Sequence, residues 1–158
     1  MPINFAQLLK EEKQKSLLFS KRATERILGL PPFSIDDQKI NSKTVVVKVA
    51  RQKNLVEIPR QKYLEDFVSF RKSGAKDIYI AKISSNNNDF RYRATNQTNK
   101  HTYVLELTTT GIQCECEDYQ NQQEISAKAC CKHGYALLNH LGFDNLNDYL
   151  NFQQANAA

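Results

Sequence analysis

All four cysteines of this 158-residue chain lie within one short window that also contains a histidine. Cys114 and Cys116 form a Cys-x-Cys pair, and after fourteen intervening residues Cys131 and His133 form a Cys-x-His pair. Three thiolates and one imidazole are a standard ligand set for structural Zn²⁺, which binds four ligands in a tetrahedron. The residue types and their order therefore predict one structural zinc ion held by Cys114, Cys116, Cys131 and His133.

The residues that flank the two pairs indicate how the ligands converge. Gly111-Ile112-Gln113 is typical of a strand end, in which residues i and i+2 point to the same side, so the two sulfur atoms of the first pair meet. The second pair precedes an apolar run at helical spacing that stops at Gly142. We expect the second pair at a helix N-terminus, where the thiolate is favoured over the thiol.

The fourth cysteine, Cys130, leaves the choice of the third ligand open. It creates a Cys-x₂-His register in which Cys130 replaces Cys131. The adjacent pair also allows a redox or metal sensor in which Cys130 forms a reversible disulfide. Permanent disulfides are disfavoured, because we see no secretory signal peptide at the start of the chain, where Lys10 to Lys15 interrupts any apolar run. We expect a metal site in a protein of the reducing cytoplasm.

Together with its surroundings, the pattern resembles the SWIM-type zinc finger, in which Cys-x-Cys and Cys-x-His follow a β-hairpin and precede a short helix. The hairpin is predicted from Asp89–Thr95 and His101–Leu107. The resemblance covers about residues 89–141 and carries the family's zinc ligands onto the four residues named above. It implies DNA binding or protein interaction. The sequence departs from the family at Cys130 and at the polar gap Asn121–Glu124, where we expect a loose excursion.

Hydrophobic patterning predicts the elements of the first half. Ile3–Leu28 is rich in helix formers and lacks Gly and Pro, so it predicts one long helix or two shorter ones. Gly29–Asn41 is expected to be a connector. The β-branched segments Thr44–Ala50 and Leu55–Ile58 predict two strands, and Tyr63–Phe70 predicts an amphipathic helix.

Asp77–Ile83 alternates as a half-buried strand does, and Asp144–Phe152 predicts a last short helix. The fold class expected is α+β: an N-terminal helix, a small mixed or antiparallel sheet with a packed helix, and a ββα SWIM-like zinc finger on the C-terminal side. We expect a helical segment at residues 1–30, and at residues 40–152 a single α+β domain that contains the finger at residues 89–141.

The net charge of +5 is distributed unevenly. Residues 1–85 contain 17 Lys and Arg against 9 Asp and Glu, whereas residues 111–158 contain 2 against 6. The basic charge therefore lies outside the metal site, and any electrostatic contact with phosphates is expected there. The candidate nucleic-acid contacts are Arg91, Arg93, Arg71, Lys72, Arg51 and Lys53.

Arg91 and Arg93 share one face of the predicted hairpin, and Tyr79, Lys82 and Tyr103 are expected near them. The alternative for these arginines is the ordinary solvent face of a strand.

No catalytic constellation is visible. The chain lacks a Gly-rich phosphate loop and the His-x-Glu with Cys-x₂-Cys pattern of zinc deaminases, and four protein ligands leave no open position on zinc. We therefore expect that the protein is not an enzyme. We expect a zinc-stabilised nucleic-acid-binding accessory module. Its expected partner is nucleic acid, with DNA preferred to RNA, or a larger DNA-processing protein. The alternative is a protein–protein interaction adaptor. No stretch predicts a membrane partner, and the oligomeric state is left open.

Overall fold

The structure, a computed structural model, describes residues 5–83 and 90–157. Ile3, Asn4 and Asp89, which belong to the predicted N-terminal helix and hairpin, lie outside the described residues. The chain divides into two compact units, Met1–Phe70 and Arg71–Ala158. The domain division expected from the sequence, at residues 1–30 and 40–152, stays a prediction.

The first unit combines helices with a three-stranded antiparallel sheet in the order β1-β2-β3. Its elements are α1 (Phe5–Leu18), α2 (Lys21–Leu28), β1 (Ile35–Ile40), β2 (Thr44–Val49), β3 (Leu55–Pro59) and the helix α3 (Arg60–Gly74), which continues past the unit boundary. The strands and the helix expected between residues 44 and 70 are therefore present. The N-terminal segment forms two helices.

The break between α1 and α2 follows from local capping. The Ser20 side chain accepts a hydrogen bond from the Ala23 amide, as an N-cap does, so a new helix starts at Lys21. Gly29 ends α2 with φ +65°, a left-handed conformation that glycine adopts without strain. Phe19, between the two helices, is buried with the inner side chains of β2.

The connector predicted at Gly29–Asn41 is wrong in part, because β1 occupies Ile35–Ile40. Its central residues, Asp36-Asp37-Gln38-Lys39, have little β propensity. The strand forms because β2, which is rich in valine, offers a free edge with which β1 pairs in antiparallel register. This pairing depends on tertiary context, which the polar sequence of β1 does not reveal.

A buried polar network joins the helices of the first unit to its sheet. The Thr24 hydroxyl lies 2.7 Å from Oε1 of Gln38 and 2.8 Å from the Tyr63 hydroxyl. The Gln38 amide donates to the Phe19 carbonyl. Tyr63 is fully buried, and burial raises the pKa of its hydroxyl. The network satisfies polar atoms that would otherwise be costly to bury.

The second unit holds a four-stranded antiparallel sheet in the order β4-β5-β6-β7. Its elements are a 3₁₀ turn (Ala75–Asp77), β4 (Ile78–Lys82), β5 (Arg91–Asn96), β6 (Thr102–Thr108), β7 (Gly111–Cys114), α4 (Glu117–Gln123), α5 (Lys132–Leu141) and α6 (Leu146–Ala157). The mixed α+β class is confirmed. The described strands form two separate antiparallel sheets, one in each unit.

The two faces of the four-stranded sheet differ in environment. The inner face is buried against α4, α5 and α6 in one core, and consists of Ile78, Ile80, Tyr92, Ala94, Tyr103, Leu105, Ile112 and Cys114. The Tyr149 hydroxyl donates to the Thr108 carbonyl at 2.7 Å and fixes α6 to the end of β6. The outer face carries the alternate residues of the same strands.

The loose excursion predicted at Asn121–Glu124 is also different in the structure, because α4 covers residues 117–123. Its start is set by Cys116, whose sulfur accepts a hydrogen bond from the Tyr119 amide. Tyr119 and Gln122 are buried on one side of this short helix. Its polar composition hides these buried positions from hydrophobic patterning.

We expect Tyr63→Phe to destabilise the first unit by about 0.5–1.5 kcal/mol, because the Thr24 hydroxyl loses one of its buried partners. The measurement is urea unfolding followed by circular dichroism. Tyr79→Phe is the matched control, since the Tyr79 side chain is 60% exposed. An equal loss of stability in both variants would contradict a stabilising role for the buried hydroxyl.

Candidate metal centre

Four side chains of the second unit form a buried cluster that can hold a metal ion. The ligand atoms of Cys114, Cys116, Cys131 and His133 all lie within 4.8 Å of one another. Nδ1 of His133 is 3.9 Å from the Cys114 sulfur and 3.8 Å from the Cys131 sulfur. In a zinc tetrahedron the sulfur–nitrogen and sulfur–sulfur edges are about 3.6 and 3.8 Å. The residues present therefore fit a tetrahedral cation.

The first pair of ligands is positioned by the end of the sheet. Cys114 is the last residue of β7, and its side chain lies on the inner face beside Leu105 of β6. Cys116 is also extended, with φ −73° and ψ 150°, and it caps α4. Because residues i and i+2 of an extended segment share a side, both sulfur atoms reach the cluster. The sequence predicted this convergence.

The second pair is positioned by the start of α5. Cys131 is the N-cap, and its sulfur accepts a hydrogen bond from the Gly134 amide at 3.4 Å. His133 is the second residue of α5 and lies in its first turn. The amide hydrogen bonds to Cys116 and Cys131 stabilise negative charge on both sulfurs. At Cys131 the neighbouring sulfurs have the larger, opposite effect and raise the pKa of the thiol. The predicted location at a helix N-terminus is therefore confirmed for this pair.

The three sulfur atoms lie so close that they compete for protons. Hydrogen bonding from the Cys114 and Cys131 thiols lowers the pKa of Cys116. The same bond to Cys116 raises the pKa of Cys114 to about 12, and hydrogen bonding to both neighbours raises the pKa of Cys131. Three thiolates cannot accumulate in one buried site without a counter-charge. A divalent cation supplies that charge and takes the place of the protons.

The orientation of the imidazole assigns its two nitrogen atoms different environments. Nδ1 faces the thiols, as the distances above show, whereas Nε2 is buried and has no hydrogen-bond partner among the described residues. The Tyr103 ring packs against the imidazole, with the ring centroids 4.7 Å apart. Nδ1 is therefore the nitrogen that this geometry presents to a cation.

The cluster contains Cys131 and leaves Cys130 outside. The Cys130 sulfur lies 3.0 Å from the position that a Cβ at residue 134 would occupy. Gly134 is thus the residue that permits this close approach. Burial raises the pKa of the Cys130 thiol to about 12, which keeps it protonated and unreactive.

A buried polar clamp holds the backbone immediately before the third ligand. The Gln122 side chain accepts a hydrogen bond from the Cys130 amide at 3.0 Å and donates to the Cys130 carbonyl at 3.3 Å. The side-chain amide of Gln122 also donates a hydrogen bond to the Asp118 carboxylate. The same carboxylate accepts two hydrogen bonds from the Arg71 guanidinium, at 3.0 and 2.5 Å. The chain Arg71–Asp118–Gln122 thus fixes the segment that delivers Cys131.

The six residues predicted to contact nucleic acid lie in different settings. Arg91 and Arg93 are exposed on the outer face of β5. The Arg71 guanidinium, only 12% exposed, is bound to Asp118. Lys72 is exposed, with its amine 5.8 Å from the centroid of the Tyr135 ring.

In the first unit, Arg51 and Lys53 are exposed on the turn between β2 and β3. Of the three side chains expected near Arg91 and Arg93, Tyr79 shares their face. Lys82 and Tyr103 lie on the inner face of the sheet, because they pair with the inner-face residues Tyr92 and Ala94.

Comparison with protein-family models, with curated proteins and with solved structures finds no match to this chain. The resemblance to the SWIM-type finger therefore depends on the Cys-x-Cys and Cys-x-His spacing and on the hairpin and helix that flank it. In the described part of the chain, every helix falls short of the length and apolar character that crossing a membrane requires.

We expect Cys131→Ala to abolish metal retention and Cys130→Ala to preserve it, because only the Cys131 sulfur faces the other donors. The two variants remove the same atom from adjacent buried positions, so each controls for the packing loss of the other. Metal content of the purified proteins by mass spectrometry is the measurement. Equal metal loss in both variants would contradict the assignment of the third ligand.

We expect Gln122→Ala to weaken metal affinity by about 10- to 100-fold, because the Cys130 backbone loses both of its side-chain hydrogen bonds. Asn121→Ala, an exposed change on the same helix, is the matched control. Competition with a chromogenic chelator measures the affinity. Unchanged affinity in the Gln122 variant, with its fold intact by circular dichroism, would show that the clamp does not position the ligand.

Proposed function

We propose that this chain is a zinc-stabilised nucleic-acid-binding accessory module in which Cys114, Cys116, Cys131 and His133 hold one structural Zn²⁺. Zinc is favoured because a buried set of three sulfurs and one nitrogen suits a tetrahedral ion of intermediate softness. Four protein ligands complete the coordination shell, so the proposed ion is structural and carries out no reaction. The pattern that resembles the SWIM-type finger agrees with this role.

The observation that carries the nucleic-acid part of the proposal is the position of Arg93 and Arg91 on the outer face of the sheet. Cys114 lies on the inner face of the same sheet, two strands away from the arginines. When zinc is bound, it would tie α4 and α5 to the inner face through its ligands. The stiffened sheet would then present its arginines to phosphates on the other side.

The distribution of charge supports a second contact region in the first unit. Residues 1–70 contain 13 Lys and Arg against 8 Asp and Glu, a net charge of +5, whereas residues 71–158 contain 9 against 9. Arg51 and Lys53 are exposed at the tip of the β2–β3 hairpin, where phosphate contacts need no rearrangement of the fold. Arg71 is not part of the proposed surface, because its guanidinium holds Asp118.

The test combines metal analysis with binding of labelled DNA and RNA, single-stranded and duplex, over a series of salt concentrations. We expect one zinc per chain and an affinity that falls steeply with salt. Arg93→Gln should weaken binding and reduce the slope of log affinity against log salt by about 1. Lys128→Gln, the same change of charge on an exposed residue between α4 and α5, is the control and should leave the slope unchanged.

Zinc-loaded protein that binds no nucleic acid at low salt would overturn the proposal. That result would favour the protein–protein adaptor, which shares the zinc centre but makes no phosphate contacts.

A further inference from the structure

The outer face of the four-stranded sheet meets α4 at its β6–β7 end, where Tyr119 and Gln120 line one pocket with Val104, Glu106 and Gln113. On β4 and β5, the described residues Tyr79, Arg91 and Arg93 are exposed. By strand alternation and register this outer face consists of Tyr79, Ala81, Ile83, Arg91, Arg93, Thr95, Thr102, Val104, Glu106 and Gln113. The inner-face side chains of the four strands belong to the hydrophobic core of the unit. The outer face is thus a surface made of side chains from all four strands.

An exposed aromatic ring stands in a row of small side chains on this outer face. Tyr79 is 60% exposed, and the residues directly across from it on β5 and β6 are Thr95 and Thr102. Its neighbour along β4 on the same face is Ala81. Small neighbours leave the face of a tyrosine ring accessible to another planar group, which is the arrangement that base stacking requires.

A cation lies beside this ring. Arg93 is opposite Ala81 and therefore diagonal to Tyr79, a separation of about 7–8 Å that both side chains can span. Among the described residues, the Arg93 side chain makes no hydrogen bond and no ion pair. Glu106 is the only acidic residue among the outer-face positions defined above, and it lies directly opposite Arg91. The Tyr79 end of the face is therefore the positive end.

An accessible aromatic ring next to an arginine on the face of a sheet matches single-stranded nucleic acid better than duplex. In a duplex the faces of the bases are stacked on one another, so a tyrosine ring meets only sugar and phosphate. A single strand offers unstacked base faces to the ring and phosphates to the arginine, and such surfaces bind with little sequence preference.

We propose that the outer face of this sheet binds a single strand of nucleic acid, with one base stacked on Tyr79 and a neighbouring phosphate held by Arg93. This inference rests on the proposed function and makes it specific as to substrate class. The metal cluster includes Cys114 on the inner face of β7, whereas the proposed single strand would lie on the outer face over β4 and β5, so the two sites use opposite faces of the same sheet.

The chain contains no tryptophan, which allows a direct measurement of stacking. Tyr79→Trp introduces a single fluorophore whose emission a stacked base should quench. Phe152→Trp is the matched reporter, because Phe152 is also about half exposed, at 52%, but lies on α6 away from the outer face. We expect unlabelled single-stranded oligonucleotides to quench the Tyr79→Trp protein and leave the Phe152→Trp protein unchanged.

Affinity measurements separate stacking from electrostatics. Tyr79→Phe should keep the affinity for a single strand, whereas Tyr79→Leu should lower it by about 5- to 100-fold with the salt slope unchanged. Arg93→Gln should lower both affinity and slope. The wild-type protein should prefer the single strand to the matching duplex.

Binding that is equal in the Tyr79→Leu and wild-type proteins, or a preference for duplex, would overturn the single-strand proposal and leave nucleic-acid binding in place. Absence of any binding by the zinc-loaded wild-type protein would overturn both.

Discussion

The second unit depends on the convergence of three sulfur atoms and one imidazole nitrogen in a buried site. Thiolates repel one another, and burial raises the cost of each charge, so the sulfurs hold their positions only by sharing protons or by binding a cation. The hydrogen bonds from the helix amides to Cys116 and Cys131 reduce this cost but do not remove it. A bound divalent ion would convert a repulsive cluster into a cross-link between β7, α4 and α5.

Strand alternation then connects the metal centre to the rest of the unit. Cys114 pairs with Leu105, which pairs with Tyr92, and all three side chains lie on the inner face. Arg91 and Arg93, the residues on either side of Tyr92 in sequence, must point outward because the period of a strand is two. A shift of one residue in register would bury the arginines and expose the ligand. The same constraint therefore places the cluster inside and the cationic surface outside.

The sequence predicted those features that depend on local spacing. The i, i+2 separation of Cys114 and Cys116 and the apolar run after His133 were sufficient to place both pairs, because strand ends and helix starts impose short-range geometry. Spacing alone could not choose between Cys130 and Cys131. That choice is made by the Cys131 capping bond and by the Gln122 clamp on Cys130, neither of which has a sequence signature.

The features that the sequence did not predict depend on partners distant in the chain. β1 is polar and becomes a strand only because β2 pairs with it, and α4 buries Tyr119 and Gln122 within a stretch that looks uniformly polar. Nor does the sequence show that Arg71 is paired, since its partner Asp118 lies 47 residues away. Counting charges along the sequence therefore included Arg71 among the candidate phosphate contacts, although its guanidinium forms an ion pair within the protein.

The position of the ligands also indicates what a metal adds to a unit that already has a core. Leu137 and Leu138 of α5 are fully buried, so the helix packs on the sheet through apolar contacts as well as through Cys131 and His133. Hydrophobic packing tolerates sliding of a helix by small amounts, whereas a tetrahedral ion fixes each donor to within tenths of an ångström. The chief effect of the ion would thus be to hold α5 at one defined position relative to β7. A sheet held in this way would keep Tyr79 and Arg93 at fixed positions relative to one another, as the proposed contacts to a base and a phosphate require.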